Sequence, residues 1–302
     1  MEAIITIVGF LGAGKTTLLK QLVHSFIKNK WHPFVILNDY ENAYLDAQQF
    51  KNQIEDEYLK PLNGSCLCCN GINELREFVN SIPKRENGVT LIEANGTSDA
   101  CNLMSFLGVG LNDWFLPPVQ ISVVDVKNWQ KRGEHNNLEA NQIQVSSLII
   151  LTHTESETKE RVTEVREAIC RVNPNAEIIK PEEINAKLLP KLLPSNNTAE
   201  NLDHLKSHWS SCSIDLPKFP NNSSIEFLCQ LIPKEILRIK GCTQIGDEKS
   251  FIYFERLPDG SFTIKPFNGI PITGPKLISI GPGSKPEVLI TCLEASLLDR
   301  KT

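Results

Sequence analysis

The sequence has no uninterrupted apolar run approaching the ~18 residues that a bilayer-spanning helix requires, which excludes a transmembrane span. It has no surplus of positive charge. Lys and Arg number 31 against 36 Asp and Glu, a formal net charge of −5, so no basic field is available to follow a phosphate backbone and general nucleic-acid binding is disfavoured. The opening residues, Met1 to Gly9, carry neither a basic leader region nor a cleavage site, and the expected compartment is the cytoplasm. Internal repeats and low-complexity tracts are missing. An even, scattered set of cysteines of the kind that staples small secreted domains is missing too. There are nine cysteines, and three crowd into Cys66-Leu67-Cys68-Cys69, a pattern that points to metal binding or redox chemistry. The other six (Cys101, Cys170, Cys212, Cys229, Cys242, Cys292) sit singly and read as small apolar filler.

With 41% hydrophobic and 22% charged residues, the 302-residue chain is ordinary for a globular protein and long enough for two domains. Its first half alternates short apolar strands with helical patterns. The expected strands are Ile4–Val8, Phe34–Leu37, Val89–Ile92, Val119–Val124 and Leu148–Leu151. The expected helices are Thr16–Asn29, Ile72–Ile82, Ser98–Leu107, Leu138–Val145 and Glu157–Val172, the last stopping at Asn173-Pro174. This alternation predicts an α/β fold, a parallel sheet with helices on both faces. The nucleotide-binding domain is expected over 1–194. A Pro-, Ser- and Asn-rich linker follows over 195–224, with one helix candidate near Ala199–Trp209, and a smaller C-terminal α+β domain over 225–302. In the latter, Phe251–Arg256 and Ser261–Pro266 flank a Leu-Pro-Asp-Gly turn, and Pro286–Leu297 reads as a closing helix.

Gly9-Phe10-Leu11-Gly12-Ala13-Gly14-Lys15-Thr16 fits G-x-x-x-x-G-K-[ST] at every position, directly after a strand and directly before a helix. The glycines let successive N–H groups of the loop, Ala13 included, turn toward phosphate oxygens, and the helix N-terminus adds partial positive charge. Lys15 is expected to reach the β- and γ-phosphates and the Thr16 hydroxyl to ligate Mg²⁺, with Thr17 completing the nucleotide-binding stretch. The fold is therefore that of a P-loop nucleoside triphosphatase. Glu93, at the end of an apolar strand, is the expected acid for a Mg²⁺-bound water or for positioning the nucleophile, and the Gly96 N–H is placed to sense the γ-phosphate. Asp39 and Glu41, after the second strand, are further acidic candidates. The cradle by itself names neither the base nor the reaction.

The cysteine run lies between Asn63-Gly64-Ser65 and Asn70-Gly71, turn formers that fix it as a tight loop. Cys66, Cys68 and Cys69 can converge on one soft or borderline cation, and tetrahedral Zn²⁺ then needs a fourth donor or a water. Zn²⁺ leads on ligand softness, with Co²⁺, Ni²⁺ and Cu(I) as alternatives. His204, His208 and Cys212 fall at helical spacing, but Ser210-Ser211 breaks the pattern and a solvated face is the expectation.

Taken in order, Gly9–Leu19, the Cys-x-Cys-Cys loop and Ile92-Glu93-Ala94-Asn95-Gly96 resemble the CobW-like family of P-loop GTPases, and Ile236–Gly241 and Leu277–Gly281 look like that family's small C-terminal domain. The resemblance implies GTP as the nucleotide and a metallochaperone or metal-insertion role in which hydrolysis gates delivery to a client metalloprotein; a homodimer is a separate expectation. It also implies that Cys66, Cys68 and Cys69 bind the metal with help from Asp39 or Glu41. Three departures stand out. Where the family reads guanine with Asn-Lys-x-Asp, this chain has Thr152-His153-Thr154-Glu155. Glu155 can replace the aspartate and His153 can stack, but Thr152 cannot reproduce the asparagine amide, which leaves base selectivity open. Ser65 replaces the glycine before the first cysteine. The run Asn38-Asp39-Tyr40-Glu41-Asn42 lacks the usual glycine after the aromatic residue. Two other functions remain open on the residues alone: a P-loop kinase or other phosphotransferase with structural cysteines, and a nucleotide-binding metal sensor with little turnover.

Overall fold

The structure is a computed structural model. It describes residues 1–39, 43–50, 52–63, 71–186, 189, 192–195, 211–236, 238–257, 259–267, 269–271, 274–281 and 283–298. Two compact units form. One comprises 1–39 and 50–207, the other 40–49 and 208–302.

The first unit is built on seven strands: β1 (Ala3–Val8), β2 (His32–Asp39), β3 (Leu59–Asn63), β4 (Gly88–Glu93), β5 (Val119–Asp125), β6 (Leu148–Thr152) and β7 (Glu177–Ile179). They lie in the order β3-β2-β4-β1-β5-β6-β7, every neighbouring pair parallel. Every residue of β1, β4 and β5 is buried, as expected of strands covered on both faces. Helix α1 (Lys15–Lys28) turns Leu18, Leu19, Leu22, Val23 and Phe26 inward at the i, i+3/i+4 spacing that its sequence predicts. Helices α3 (Gly71–Ser81) and α4 (Ala100–Leu107) supply Leu75, Val79, Leu103 and Leu107 to a core with Ile4, Phe34, Ile36 and Ile92. Helices α5 (Asn136–Gln144) and α6 (Lys159–Val172) close a second core through Ile143, Val165 and Ile169 against Ile149 and Leu151. The Thr158 side chain caps α6 by accepting from the Arg161 N–H. The helix stops at Asn173, whose backbone N–H bonds to the Ile169 carbonyl ahead of Pro174.

The second unit carries an antiparallel sheet of β8 (Ser211–Asp215), β9 (Arg238–Gln244), β10 (Phe251–Arg256), β11 (Phe262–Phe267) and β12 (Lys276–Ile280), ordered β11-β10-β9-β12-β8. Helices α7 (Asn222–Leu231) and α8 (Pro286–Leu298) cover it through Ile225, Leu228, Leu289 and Leu293. The short helix α2 (Ala43–Gln48) belongs to this unit although it follows β2 in sequence.

The parallel sheet, the hairpin and the closing helix form as the pattern predicts. Strand β8 is a difference, because Ser211–Asp215 lies in the stretch expected to be a linker and pairs along its whole length with β12. The Ala199–Trp209 helix candidate, with His204 and His208, lies outside the described residues. Among the described residues no helix is long and apolar enough to cross a membrane.

Candidate nucleotide and metal site

Strand β1 delivers the chain to Gly9, whose φ of 147° and contact with the Val123 carbonyl leave no room for a Cβ. The loop then curls, with Ala13 N–H donating to Phe10 O at 3.1 Å, and α1 starts at Lys15 with no side-chain cap. Uncapped helix N–H groups facing a tight loop are an anion site by construction. Lys15 is 4% exposed, and its ammonium donates to Gly9 O at 2.9 Å and Phe10 O at 3.3 Å, so the cation is folded over the loop that it serves.

Glu93 closes β4 directly beside this loop, since Ile7 of β1 and Leu37 of β2 flank it in register. Its buried carboxylate Oε1 accepts from the Thr16 hydroxyl at 2.8 Å. The two residues that the sequence nominates for a divalent cation are thus in contact. A hydroxyl beside a carboxylate is an all-oxygen donor set, which suits a hard ion such as Mg²⁺. The segment after Glu93 is buried as well. A Cβ on Gly96 would press on the Leu11 backbone nitrogen at 2.8 Å, so only glycine lets this peptide lie against the phosphate loop. Asn95 Oδ1 accepts from the Thr97 N–H at 3.1 Å and closes the turn.

At the other end of the loop, Thr152 ends β6 and its hydroxyl meets Ala13 O at 2.9 Å and Val124 O at 3.1 Å. His153 follows with a left-handed φ of 56°, and its Nδ1 donates to Asp125 Oδ1 at 2.9 Å. Asp125, the last residue of β5, accepts from the Asn128 side chain at 2.7 Å and pairs with Arg132 at 3.4 Å. Burial pushes its carboxyl up, but the bonds from His153 and Asn128 and the charges of His153 and Arg132 outweigh that and hold it below its ordinary value. Arg132 also bonds Glu139 at 3.0 Å and lies 4.1 Å from the centre of the Phe10 ring, a cation–π contact beneath the phosphate loop. Burial raises the Glu139 carboxyl despite that guanidinium. No signal beyond the apolar run before Asp125 marks this charged layer in the sequence. Exposed Glu155 lines a cleft of about 420 Å³ with Gln21, Leu22, Ser25, Pro181 and Glu182.

Cys66, Cys68, Cys69 and Glu41 lie outside the described residues, whereas the Asp39 backbone is the last position of β2. Asp39 pairs in parallel register with Asn63, the last residue of β3, three positions before Cys66. Strand β3, with its proline, went unpredicted, and it is the element that carries the chain to the cysteine loop. Of the six other thiols, Cys101, Cys212, Cys229 and Cys242 are buried as packing, Cys292 is half-buried, and Cys170, expected as filler, is exposed on α6. Burial pushes Cys101 and Cys242 up to about 12 and Cys229 to about 11, values that keep them protonated. Among the described residues no group of three or more His, Cys, Asp or Glu is gathered so as to hold a metal ion.

The CobW/HypB/UreG nucleotide-binding domain model matches residues 3–180, well over half of the chain. The chain belongs to this family. Members compared with it include the zinc-regulated GTPase metalloprotein activator 1 of Dictyostelium discoideum, 22% identical over 57% of this chain and 44% of that protein. The zinc chaperone YjiA of Escherichia coli is 25% identical over 58% of this chain and 56% of its own length. The chain therefore matches about half the length of these two relatives. Zn(II)-bound YjiA GTPase from E. coli, a solved crystal structure, aligns with 98% of both chains at 18% identity and a TM-score of 0.43.

Proposed function

We propose that the protein is a GTP-hydrolysing metallochaperone that binds a transition metal, zinc first among the candidates, and delivers it to a client metalloprotein. The observation that carries the reading is the arrangement of four strand ends along one edge of the sheet. The phosphate loop follows β1, Glu93 ends β4, Asp39 ends β2, and β3 leads to Cys66, Cys68 and Cys69, in the lateral order β3-β2-β4-β1. Ligands of open parallel sheets bind at the carboxyl ends of the strands, so a metal loop and a triphosphate there share one loop system. Relatives named as zinc chaperone and as zinc-regulated GTPase support the same reading.

In this mechanism the N–H groups of Gly12 to Thr16 and the Lys15 ammonium hold the β- and γ-phosphates and stabilise the charge that develops in the transition state. Thr16 and Glu93 would hold Mg²⁺, which when bound neutralises charge on the phosphate oxygens. Glu93 orients the attacking water, and the Gly96 N–H faces the γ-phosphate. Glu155 accepts from the N1–H and exocyclic amine of guanine while His153, steadied by Asp125, stacks against the ring. Loss of the γ-phosphate removes its bond to the Gly96 N–H, and the loops at the ends of β2, β3 and β4 respond together, so that the affinity of Cys66, Cys68 and Cys69 for metal differs between the two nucleotide states.

The test is a zinc titration of the whole protein with GDP and with a non-hydrolysable GTP analogue. Zinc affinity should differ at least ~10-fold between the two, which is ~1.4 kcal/mol of coupling. The double substitution Cys68→Ser and Cys69→Ser should abolish tight uptake. Equal zinc affinity in the two nucleotide states would sink the gating mechanism, and undiminished uptake by the serine variant would sink the ligand assignment.

A further inference from the structure

Helix α5 carries a glutamine that touches the candidate γ-phosphate loop. Gln142 is 1% exposed, and its side-chain amide donates to Gly96 O at 3.0 Å and to Ser98 O at 3.2 Å. The residue is itself anchored. Its own backbone carbonyl accepts from Gln120 Nε2 at 2.6 Å, from Ser122 Oγ at 2.6 Å and from Ser146 Oγ at 3.1 Å, all buried side chains. The glutamine is therefore anchored by β5 and α5, and through it they hold the turn that follows Glu93.

Two details fix what the contact does. The carbonyl of the Gly96–Thr97 peptide is held by Gln142 and its N–H by Asn95, so both polar ends of that peptide are tied. On its other side Gly96 lies against Leu11 of the phosphate loop, with no space for a side chain. The protein's own side chains thus hold Gly96 on its carboxyl side while Leu11 confines it on the other, which narrows the directions its N–H can take. A buried amide making two bonds to backbone carbonyls on one loop and none to an ordinary helix or strand partner is costly to place, because its unmet acceptor stays desolvated. Gln142 Oε1 and the Ser98 hydroxyl are both buried without a hydrogen-bond partner.

We infer that Gln142 is a positioning residue for the triphosphate state: it presets the Gly96–Ser98 turn so that binding the γ-phosphate does not have to pay for ordering it. The inference rests on the nucleotide reading proposed above, and it concerns discrimination between tri- and diphosphate rather than nucleotide binding as such. Preorganised donors raise affinity and turnover only for the state that uses them.

The experiment compares wild type with Gln142→Met, which keeps the length and removes the donors, and with Gln142→Glu. Dissociation constants for GDP and for the β,γ-imido analogue of GTP, together with kcat and KM for GTP, are measured on the full chain. For Gln142→Met the GDP constant should stay within about twofold, the analogue should weaken about 10-fold, and kcat should fall about 10-fold with KM little changed. In Gln142→Glu the ionised carboxylate cannot donate, whereas its protonated form donates one bond, so turnover relative to wild type should recover as pH is lowered. Equal losses for GDP and analogue, or no change in either, would overturn the assignment. Should the Met variant fail to fold, the acid recovery of the Glu variant decides alone, a flat ratio counting against Gln142. Wild type that cannot tell the analogue from GDP defeats the nucleotide reading and this inference together. Wild type that discriminates while the variants discriminate equally well defeats only the role of Gln142.

Discussion

Asp46 and Lys240 stand 194 positions apart in the chain and meet as a buried ion pair, carboxylate to ammonium at 2.5 Å. Asp46 lies on α2, a segment that leaves the nucleotide unit after Asp39 and returns at Phe50, yet packs as part of the C-terminal unit. Leu45 joins a small core with Cys242, Tyr253 and Phe267, and Gln48 donates to Ile270 O at 2.9 Å. Removing one member of such a pair strands the other charge in a dry site, at a cost of about 3–5 kcal/mol. Replacing both by apolar residues restores much of it. Urea unfolding of Lys240→Met, Asp46→Leu and the double variant should therefore show two large single losses and a double loss well below their sum. Strict additivity would mean that the pair is not a coupled unit.

Glu255 makes the same unit acid-sensitive. Burial alone would raise its carboxyl. The charges of Arg238 and Lys240 and the bonds from Arg238 at 2.7 Å and the Tyr253 hydroxyl at 3.0 Å overturn that, and the value drops from 4.5 to about 2. A depressed folded-state value means stability that is fully present above the unfolded value and lost as pH falls from about 4.5 toward 2. The loss should be on the order of 3 kcal/mol, because each factor of ten in proton affinity is worth about 1.4 kcal/mol. Unfolding free energies of wild type and Glu255→Gln, measured across that window, should converge as the pH is lowered. Parallel curves would show that another group carries the acid response.

The two cores and the phosphate cradle were legible because each rests on a local signal. Apolar strands followed by helical spacing define the sheet, and Gly9–Thr16 sits at the one junction where its backbone N–H groups can meet a phosphate. Glu93 was found by the same logic of strand ends. Six elements escaped, β9 and α7 of the second unit and four others. Strand β3 carries Pro61 and Lys60, which the middle of a sheet does not tolerate but an edge does. Strand β7 is three residues long, and α2 is a turn and a half whose burial depends on a sheet encoded some 190 residues later. Strand β8 lies among prolines and serines and exists through its pairing with β12. Asp125 and Gln142 escaped for a related reason. Their partners His153 and the Gly96 carbonyl are distant in sequence, and Arg132, seven residues after Asp125, meets it across a loop that no spacing rule describes.

Thr152 answers the question raised by its place in the base-reading turn. Its hydroxyl ties β6 to the phosphate loop through Ala13 O. What it gives up relative to asparagine is a donor to purine N7, an acceptor that adenine and guanine share. Thr152→Val should therefore weaken GTP and ATP by a similar factor, about 3- to 10-fold for one lost hydrogen bond or two. In the function proposed above, base choice falls to Glu155, which alone of the two can accept from both donors on the guanine edge. Glu155→Gln should lower GTP affinity selectively and bring the GTP-to-ATP ratio toward unity, as read by competition against a fluorescent nucleotide. A ratio that moves in Thr152→Val and holds in Glu155→Gln would reverse the two roles.

The Thr16–Glu93 contact separates binding of the phosphates from binding of the cation. In the function proposed above, the Gly9–Thr16 backbone and Lys15 meet the phosphate oxygens directly, and a contribution of that kind persists in a chelator. The Thr16 hydroxyl and Glu93 carboxylate, 2.8 Å apart, would there act through a hard divalent ion and be silent without one. Glu93→Gln keeps the shape and the hydrogen bond to Thr16 while removing the charge. Its affinity for the imido analogue of GTP should equal that of wild type in EDTA and fall behind by about 10-fold or more when Mg²⁺ is restored, with GTP turnover down about 100-fold. Thr16→Val should show the same Mg²⁺-specific deficit in binding. A deficit of equal size with and without Mg²⁺ would assign Glu93 to the architecture of the loop instead, and the double variant then separates the cases. Two residues serving one ion lose their effect once between them, whereas two independent structural contacts lose it twice.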